Sequence, residues 1–384
     1  MNSRERLMAA FDHKIPDRVP WSGLITDYFI NFHKCELGDT STSDFLKEAG
    51  ADIFNWLGME ARSPGVEVQT YNESGLVEKD KSGNWLTEFY NYIGNIDYYK
   101  SGKNKTITRK FITSPGELTA KFTYTPESHT VFISEFPIKK IEDYRIFTYM
   151  IESLEYEDLG KYFADMENEI GGSGMNAAVL HSTPVYELIQ CFMGMERFHY
   201  FFFDYQKETL ELINRIFKKF TQCYEIYVKT GIPAIVIPED ASTTLYSPAF
   251  FDEYLSPVIN EYCRIISSKD KISVIHACGH LDGLKESFSR IDVNCIESVS
   301  PPPTGNVSIS EFKKALPGVC IMGGIPANCY LKELDDFKKY VSELILENKD
   351  RGNFILSSGD SVPANAKIEN IRSIPDLIEK HGKY

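Results

Sequence analysis

The stretch that decides the fold is Ile272-Ser273-Val274-Ile275-His276-Ala277-Cys278-Gly279-His280. A short apolar, β-branched run ends here in a histidine, a cysteine and a glycine, a pattern typical of a buried strand that opens into a loop. Because side chains alternate faces along a strand, His276 and Cys278 should point the same way. An imidazole nitrogen and a thiolate two residues apart make half of a zinc site. The alternative is a buried histidine beside a buried free cysteine.

The strand over Ile272–Ala277 belongs to a regular alternation of apolar runs and helical patterns. Seven further runs have the same character: Val19–Ile25, Ala51–Trp56, Asn176–His181, Ala234–Pro238, Val293–Glu297, Gly318–Gly323 and Asn353–Ser357. Strands that alternate with helices predict an α/β fold with a parallel sheet, and eight such units predict a closed (β/α)8 TIM barrel. The alternative is a doubly wound open sheet, but no glycine-rich phosphate-binding fingerprint follows any of these strands.

Residues 60–140 break this alternation. Turn signals at 72–75, 81–84 and 114–116 separate short runs rich in Tyr, Thr, Phe and Val, and helical periodicity is not evident. This pattern predicts an antiparallel β-hairpin insertion near the N-terminus, within a single domain that spans 1–384. We expect the insertion to cover the barrel mouth or to form a partner or dimer surface, with its aromatic residues packing between hairpins.

Composition narrows the class of protein. The 384 residues are 42% hydrophobic, which suffices for a large core, and the formal net charge is −14. Without a basic run, nucleic acid is not expected as a partner, and no apolar stretch has membrane-spanning length. The charged N-terminus leads into an amphipathic helix rather than a signal peptide. The eight cysteines are scattered through apolar segments, which predicts reduced thiols and a cytoplasmic location.

Polar side chains gather at the predicted C-terminal strand ends, where chemistry is found in such barrels. They are His181, Glu239, Asp240, His276, Cys278, Glu297 and Asp360. We expect the catalytic groups among His181, the pair Glu239-Asp240 and Glu297. Either Glu239 or Glu297 could be a fourth metal ligand or a general base. At the end of the seventh strand, Gly323 and Gly324 would let the backbone approach a cofactor closely.

Asp360 is the predicted third zinc ligand beside His276 and Cys278. Two cysteines compete for this role. Cys320 falls at the start of its predicted strand, on the opposite barrel face, and Cys295 falls in the middle of its strand. The position of Cys295 is more typical of core packing.

Several separate stretches carry a family resemblance. They are Arg4-Glu5-Arg6-Leu7 through Pro16-Asp17-Arg18-Val19-Pro20, 113–118 with 135–139, Glu239-Asp240 leading to 247–254, Glu297 through 301–308, 322–327, and 359–363 with Glu369-Asn370-Ile371. Each is weak alone, but the combination resembles the uroporphyrinogen decarboxylase (URO-D) superfamily, on the side that includes the cobalamin-dependent methyltransferases. The family fold is a TIM barrel, in agreement with the strand count.

Two segments place the chain within that superfamily. True decarboxylases carry an arginine-rich segment, Met-Arg-Gln-Ala-Gly-Arg, that grips the substrate carboxylates. The corresponding residues 21–27 read Trp-Ser-Gly-Leu-Ile-Thr-Asp, without arginine, which disfavours porphyrinogen decarboxylation. The methyltransferase branch has a zinc motif, His-x-Cys with a second cysteine far downstream. His276-Ala277-Cys278 matches its first half, whereas Ser358-Gly359-Asp360 stands where the second cysteine is expected.

An aspartate in place of that cysteine has a chemical consequence. Oxygen donates less electron density than sulfur, so the zinc would be more Lewis acidic. A bound thiolate would be a weaker nucleophile, and an alcohol, water or ether oxygen would be polarised more strongly. We expect the zinc to activate an oxygen or a thiol group. The resemblance implies methyl transfer between a small-molecule donor or acceptor and methylcobalamin or another corrinoid. A separate corrinoid protein is the expected partner, because the chain lacks Asp-x-His-x-x-Gly. A homodimer is the family expectation.

Two rival hypotheses remain open. The first is a metal-independent decarboxylase or lyase of the same fold, in which carboxylates such as Asp27, Glu239 or Asp240 hold a cationic intermediate. That activity would survive loss of both His276 and Cys278. The second is a barrel without catalytic activity that binds a tetrapyrrole-like or other small molecule, or scaffolds a corrinoid complex. Such a protein would bind its ligand without turnover.

Overall fold

The computed structural model describes residues 1–94, 106–125 and 130–384. Parts of the predicted insertion, 95–105 and 126–129, lie outside the described residues. The chain divides into two compact units. The first unit comprises residues 1–57, 160–180 and 228–384, and the second unit comprises residues 58–159 and 181–227. The second unit thus includes the predicted insertion and also the segment that follows His181. The single-domain organisation stays a prediction.

The described residues contain fourteen strands. In chain order they are β1 (Ile53–Gly58), β2 (Ala61–Arg62), β3 (Glu67–Asn72), β4 (Gly75–Asp80), β5 (Thr106–Thr113), β6 (Gly116–Thr125), β7 (Thr130–Glu135), β8 (Glu155–Tyr156), β9 (Gly174–Val179), β10 (Ala234–Ile237), β11 (Ile272–His276), β12 (Cys295–Val299), β13 (Cys320–Ile325) and β14 (Phe354–Ser358).

The first unit is built on a seven-stranded sheet with the order β1-β9-β10-β11-β12-β13-β14. From β9 to β14, each strand pairs in parallel with the next strand in the sheet. Parallel strands that are neighbours both in the chain and in the sheet require a crossover between them. The α/β class and the parallel sheet that the sequence predicts are therefore confirmed, and the architecture is compatible with a TIM barrel.

The first predicted strand, over residues 19–25, is reduced to a short pairing. Trp21 pairs in parallel with Leu356 of β14. The Leu356 amide donates to the Pro20 carbonyl at 2.9 Å, and on the other side the Asp52 amide donates to the Trp21 carbonyl at 2.7 Å. Residues 20–22 thus lie between β14 and the start of β1. Pro20 has no amide hydrogen, so a longer regular ladder cannot form here.

Helices connect the strands of the first unit. They are Ser3–Phe11, Asp27–Phe32, Lys34–Leu37, Thr42–Glu48, Gly160–Ile170, Pro248–Phe250, Ser256–Ser267, Lys285–Phe288, Ile309–Ala315, Leu334–Asn348 and Ile368–His381, with 3-10 turns at Gly171–Ser173, Asp282–Leu284, Ala327–Leu331 and Lys349–Arg351. The continuous helix predicted over 247–268 is wrong in one respect, because a π-helical segment, Phe251–Leu255, interrupts it. Pro257 follows closely, and its missing amide favours such a local widening.

Alternate residues of the parallel strands form the core of the first unit. Ala234 and Val236 of β10 lie beside Ile272 and Val274 of β11, and all are buried. The helix Ser3–Phe11 adds its apolar face to the same cluster. The period of two shows that one face of each strand points into a single core, so the following residue on that face of β11 is His276.

The N-terminal sequence motif has a structural role. Arg6 donates to Asp17 at 2.7 Å and to Asp52 at 2.5 Å, while Arg18 also contacts Asp52 at 3.2 Å. The second carboxylate oxygen of Asp52 accepts the Trp21 amide at 3.0 Å. Asp52 is fully buried, and a buried carboxylate needs such partners. This network therefore anchors the first helix and residues 17–21 to the start of β1.

The second unit contains a five-stranded antiparallel sheet with the order β4-β3-β5-β6-β7 and a two-stranded pair, β2-β8. The prediction that the insertion lacks helical periodicity is wrong, because a helix spans Trp85–Gly94. Trp85, Leu86 and Phe89 are buried at helical spacing, a signal hidden by their strand-like aromatic composition. Further helices are Asp143–Glu152, Pro184–Glu187, Met195–Asp204 and Gln206–Tyr227, with a π-helical segment at Leu188–Met193.

Aromatic side chains fill the core of the second unit. The cluster consists of Trp85, Phe89, Phe111, Phe122, Phe147 and Phe192. The Trp85 indole donates to the Ser63 hydroxyl at 2.7 Å, so its one polar atom is satisfied.

Among the described residues, none of the helices in either unit combines the length and the apolar character needed to cross a bilayer.

Candidate metal centre

The three residues that the sequence predicts as metal ligands lie together in the first unit. One donor atom each from His276, Cys278 and Asp360 lies within 4.8 Å of the other two. His276 ends β11, and Asp360 follows two residues after β14. Two other strands separate β11 from β14, so in a flat sheet they would be about 14 Å apart. The sheet must therefore curl to bring these side chains together.

Glu297 fixes the orientation of the His276 ring. The two residues are opposite each other in the parallel pairing of β11 and β12. His276 Nδ1 lies 2.5 Å from Glu297 Oε2, and Glu297 is fully buried. Burial lowers the pKa of His276, but the adjacent Glu297 carboxylate and the Cys278 side chain together outweigh burial and raise that pKa well above its ordinary value. With Nδ1 held by the carboxylate, Nε2 is the nitrogen left for a metal, an arrangement common at zinc sites.

Trp56 is a neighbour of His276 that the sequence did not reveal. The edge-to-face contact between the two rings has a centroid distance of 5.5 Å and an interplanar angle of 87°. Trp56 lies on β1, at the same end of the sheet as the cluster. Its position at the end of the second predicted strand was the available signal.

Cys278 lies in a loop that is tied to the loop after β10. Its thiol donates to Asp240 Oδ1 at 3.1 Å, and burial raises the pKa of the thiol to about 11. The His280 amide donates to the Ser242 hydroxyl at 3.0 Å. A Cβ atom at Gly279 would lie 2.4 Å from Ser242 Cβ. Glycine is thus required after Cys278 for the two loops to approach this closely.

Asp360 is positioned by a similar close approach. The Gly359 amide donates to the Ile325 carbonyl at 2.7 Å, and the Ser361 amide donates to Asp360 Oδ1 at 2.6 Å. A Cβ atom at Gly359 would lie 2.3 Å from Ser300 Cβ. Asp360 is partly buried. The short Gly359-Asp360 step therefore places a carboxylate beside the other two ligands with its backbone fixed.

The remaining predicted carboxylates have different surroundings. Asp240 contacts Cys278 directly. Glu239 is fully buried, and the Tyr246 hydroxyl donates to Glu239 Oε1 at 3.4 Å. Asp27 is exposed and accepts the Thr42 hydroxyl at 2.6 Å. Asp240 is thus the one of these that touches the cluster, and the catalytic roles of Glu239 and Asp240 stay predictions.

Gly323 and Gly324 lie within β13 rather than at its end. Their φ angles are +147° and +105°, which favour glycine. A Cβ atom at Gly323 would lie 2.2 Å from the Val299 carbonyl oxygen, and one at Gly324 would lie 2.8 Å from the Leu344 side chain. Contacts within the chain therefore explain both glycines, and the predicted cofactor contact stays a prediction.

His181 belongs to the second unit. It follows β9, which ends at Val179 and not at His181 as the sequence predicts. The fully buried ring stacks on Phe220 at a centroid distance of 3.6 Å, and Nε2 lies 3.0 Å from the Tyr156 hydroxyl. Burial lowers the pKa of His181, and Glu187, 3.9 Å from Nδ1, offsets that effect only in part. The predicted catalytic role of His181 stays a prediction.

The two competing cysteines lie in the core of the first unit. Cys295 and Cys320 face each other across β12 and β13 and are fully buried. Cys295 is the first residue of β12 rather than a central one. Both belong to the apolar cluster that also contains Val274. The group of potential ligands found among the described residues contains neither of them.

A family comparison supplies the identity of the fold. A family model described as uroporphyrinogen decarboxylase (URO-D) matches residues 184–381. The chain belongs to the URO-D family. The resemblance drawn from the separate sequence stretches is thereby confirmed, and the protein is an enzyme of this family.

Solved structures give the same picture of the fold. A methyltransferase from Methanosarcina mazei is similar with a TM-score of 0.63 and 12% identity, covering 99% of this chain and 99% of that one. Dispersin B has a TM-score of 0.34 at 13% identity over 58% and 76% of the two chains. Endo-glycoceramidase II from Rhodococcus sp. has a TM-score of 0.33 at 13% identity over 54% and 63%. The last two are too distant to carry an argument. No curated protein matches the sequence.

Proposed function

We propose that this URO-D family enzyme is a corrinoid-dependent methyltransferase. It moves a methyl group between a corrinoid carried by a separate protein and a small molecule. In this proposal a zinc ion is held by His276, Cys278 and Asp360. We further propose that residues 20–22 complete an eight-stranded closed barrel, since they bond to β14 on one side and reach β1 on the other. The homodimer and the cytoplasmic location stay predictions.

The observation that carries the proposal is the convergence of a nitrogen, a sulfur and an oxygen donor within 4.8 Å of one another. Ligand atoms around a tetrahedral zinc ion with bonds of about 2.0–2.3 Å lie about 3.3–3.8 Å apart. Small rotations of the three side chains would reach that spacing. Three protein ligands leave one position for a substrate, as in catalytic zinc sites. The residues therefore fit the metal.

The chain supports these ligands with hydrogen bonds. Glu297 accepts the proton at His276 Nδ1, which presents Nε2 to the metal. While the Cys278 thiol is protonated it donates to Asp240, which sets the direction of the Sγ atom before the metal binds. Trp56 packs against the imidazole ring in an edge-to-face contact. Such supporting contacts hold ligands in the geometry that binding needs, before the metal arrives.

The small molecule is proposed to react through oxygen. A zinc ion in this donor set would act as a Lewis acid on a bound alcohol or ether oxygen. The aspartate ligand favours this class over thiols, because a site with one thiolate donates less electron density to the metal than a site with two. Residues 21–27 offer no arginine for a polycarboxylate, which argues against a porphyrinogen substrate.

Methyl transfer is supported over decarboxylation by two further points. The Methanosarcina mazei methyltransferase shares the fold over nearly the whole of both chains. The His-x-Cys pattern at 276–278 matches the first half of the zinc motif of the methyltransferase branch. A separate corrinoid protein is proposed as the partner because the sequence lacks a corrinoid-binding motif of the Asp-x-His-x-x-Gly type.

Elemental analysis tests the metal centre. We expect close to one zinc per chain in the wild type after zinc is added and excess is removed, and far less in His276→Ala, Cys278→Ala and Asp360→Ala. The matched control is Cys263→Ala, which removes a buried thiol elsewhere in the first unit and should retain zinc. A wild type without zinc would contradict the proposal and favour the metal-independent decarboxylase or lyase.

Methyl exchange tests the reaction. The zinc-loaded enzyme is mixed with a methylated corrinoid protein and methyl acceptors (alcohols, phenols, thiols and folates). In parallel it is mixed with the reduced Co(I) corrinoid protein and methyl donors (methanol and aromatic methoxy compounds). We expect methyl transfer with an oxygen compound, and the change in the corrinoid absorption spectrum measures it. The Cys278→Ala variant should show no transfer. Exchange restricted to thiols would refute the assignment of substrate class. No exchange with any compound would refute methyl transfer itself.

A further inference from the structure

Ser298 has a backbone conformation that is unusual for its residue type. Its φ angle is +67°, in the left-handed region, although it is neither glycine nor asparagine. It is also buried, with 1% of its surface exposed. Glycine is the residue that accepts this conformation without strain. A strained residue directly after Glu297 indicates that the serine side chain itself is needed at this position.

The strain arises from a β-bulge in β12. Ile296 pairs with Ile321 of β13, but the next pair is Val299 with Gly323. Three steps along β12 therefore match two steps along β13, which leaves one extra residue in β12. The bulge brings the Val299 carbonyl to 2.2 Å from where a Cβ atom at Gly323 would be. Gly323 is thus the residue that makes room for the bulge.

The bulge changes where the Ser298 side chain points. In a regular strand, consecutive residues face opposite sides, so Ser298 could not reach the side chain of Glu297. Here the Ser298 hydroxyl donates to Glu297 Oε1 at 3.0 Å. The other oxygen of the same carboxylate lies 2.5 Å from His276 Nδ1. Both oxygens of a fully buried carboxylate are therefore held, one by each neighbour.

We propose that Ser298 is a positioning residue of the metal centre. The bulge aims its hydroxyl at Glu297, Glu297 is thereby fixed in the plane that meets His276 Nδ1, and His276 presents Nε2 to the metal. This inference rests on the proposed function of the site. The proposal also gives Gly323 a role, because this glycine makes room for the bulge in β12. Its place on the neighbouring strand did not suggest this role from the sequence.

Metal titration tests the proposal without any activity assay. Metal-free protein is titrated with Co²⁺, whose thiolate and d–d absorption bands report the ligand set, and the zinc Kd is measured by competition with a chelator. Ser298→Gly removes the hydroxyl and relieves the backbone strain. We expect it to weaken metal binding by about 10-fold, the lower end of the effect of losing an outer-sphere partner. Glu297→Gln should weaken binding by about 10–100-fold.

The double variant distinguishes positioning from general damage. Because Ser298 acts through Glu297, Ser298→Gly in the Glu297→Gln background should add about twofold or less. The matched control is Ser273→Ala, which removes a buried serine hydroxyl that bonds Asn294 at the other end of β11. That variant should bind Co²⁺ and zinc as the wild type does.

The outcomes separate this inference from the proposed function. A wild type that binds neither Co²⁺ nor zinc would overturn the metal centre, and with it the role of Ser298. A wild type that binds metal while Ser298→Gly has the same Kd would overturn the role of Ser298 alone. Additive losses in the double variant would also overturn it. A lower unfolding midpoint with an unchanged Kd is the result that a merely structural serine would give.

Discussion

Two histidines of this protein each face a glutamate, one with its side chain 14% exposed and the other fully buried, and they differ in nearly every other respect. His276 Nδ1 lies 2.5 Å from Glu297 in the first unit, whereas His181 Nδ1 lies 3.9 Å from Glu187 in the second. The first distance is a charge-assisted hydrogen bond and the second is too long for one. Glu187 instead accepts the Tyr90 hydroxyl at 2.7 Å.

This difference in distance decides whether burial or the neighbouring carboxylate has the larger effect on the pKa of each histidine. Burial lowers the pKa of both histidines. At His276 the close carboxylate, together with Cys278, outweighs burial and the pKa rises, whereas at His181 burial dominates and the pKa falls. Among the described residues, His181 Nδ1 has no hydrogen-bond partner. Only His276 therefore has its Nδ1 held by a carboxylate, which leaves Nε2 for a metal, although both histidines end apolar runs in the sequence.

The largest expected effect comes from neutralising Glu297, and the matching change at Glu187 should do little. In metal-free protein near pH 7, Glu297→Gln should lower the free energy of unfolding by about 2 kcal/mol, because it removes a hydrogen bond between charged groups. Glu187→Gln should change it by less than about 0.5 kcal/mol, since the amide oxygen still accepts the Tyr90 hydroxyl and a buried charge is lost. Urea unfolding of both variants measures the difference.

The control for these variants is Glu286→Gln, an exposed glutamate that bonds Arg290 on the surface of the first unit. An exposed pair contributes little, so this variant should unfold like the wild type. Equal losses in Glu297→Gln and Glu187→Gln would show that the two histidine–glutamate pairs are equivalent, against the distances in the structure.

The two histidines should also respond to pH with opposite signs. His181 binds its proton less readily in the folded protein, so its contribution reduces stability as the pH falls below about 6.5. His276 binds its proton more readily when folded, so its stabilising contribution is full below about pH 6.5 and is lost as the pH rises through its folded pKa. Each slope is limited to about 1.4 kcal/mol per pH unit for one proton.

Unfolding free energies of metal-free wild type, His181→Gln and His276→Gln across about pH 5 to 9 would separate these contributions. His181→Gln should remove part of the acid-side loss, and His276→Gln should remove part of the alkaline-side loss. The comparison fails if both variants change the same side of the profile.

Most of the parallel architecture could be predicted from the sequence, because buried parallel strands are short continuous apolar runs. The predicted bounds of Ile272–Ala277 and of the neighbouring runs agree with the bounds of β10 to β14 within one or two residues. The first predicted strand was harder, since Val19–Ile25 is apolar but Pro20 limits its pairing. The helix Trp85–Gly94 was missed because aromatic residues favour strands when considered singly.

The predicted ligands His276, Cys278 and Asp360 do lie together, because parallel strands of a curled sheet bring their ends to one place. What the sequence could not give is the support around them. Ser298 reaches Glu297 only through a bulge, and a bulge depends on the pairing of two strands rather than on local composition. The edge contact of Trp56 likewise depends on tertiary structure.

A change at Tyr90 should make the His181 pair more like the His276 pair. Tyr90→Phe removes the hydroxyl that holds Glu187 and should cost about 1 kcal/mol of stability, the usual price of one hydrogen bond. Glu187 is then free to turn toward His181 Nδ1, and the pKa of His181 should rise. NMR titration of labelled histidines measures the pKa of His181. The control is Tyr71→Phe, which removes a hydroxyl on β3 that bonds Gln69. An unchanged His181 titration would mean that the 3.9 Å separation is set by the backbone and not by competition from Tyr90.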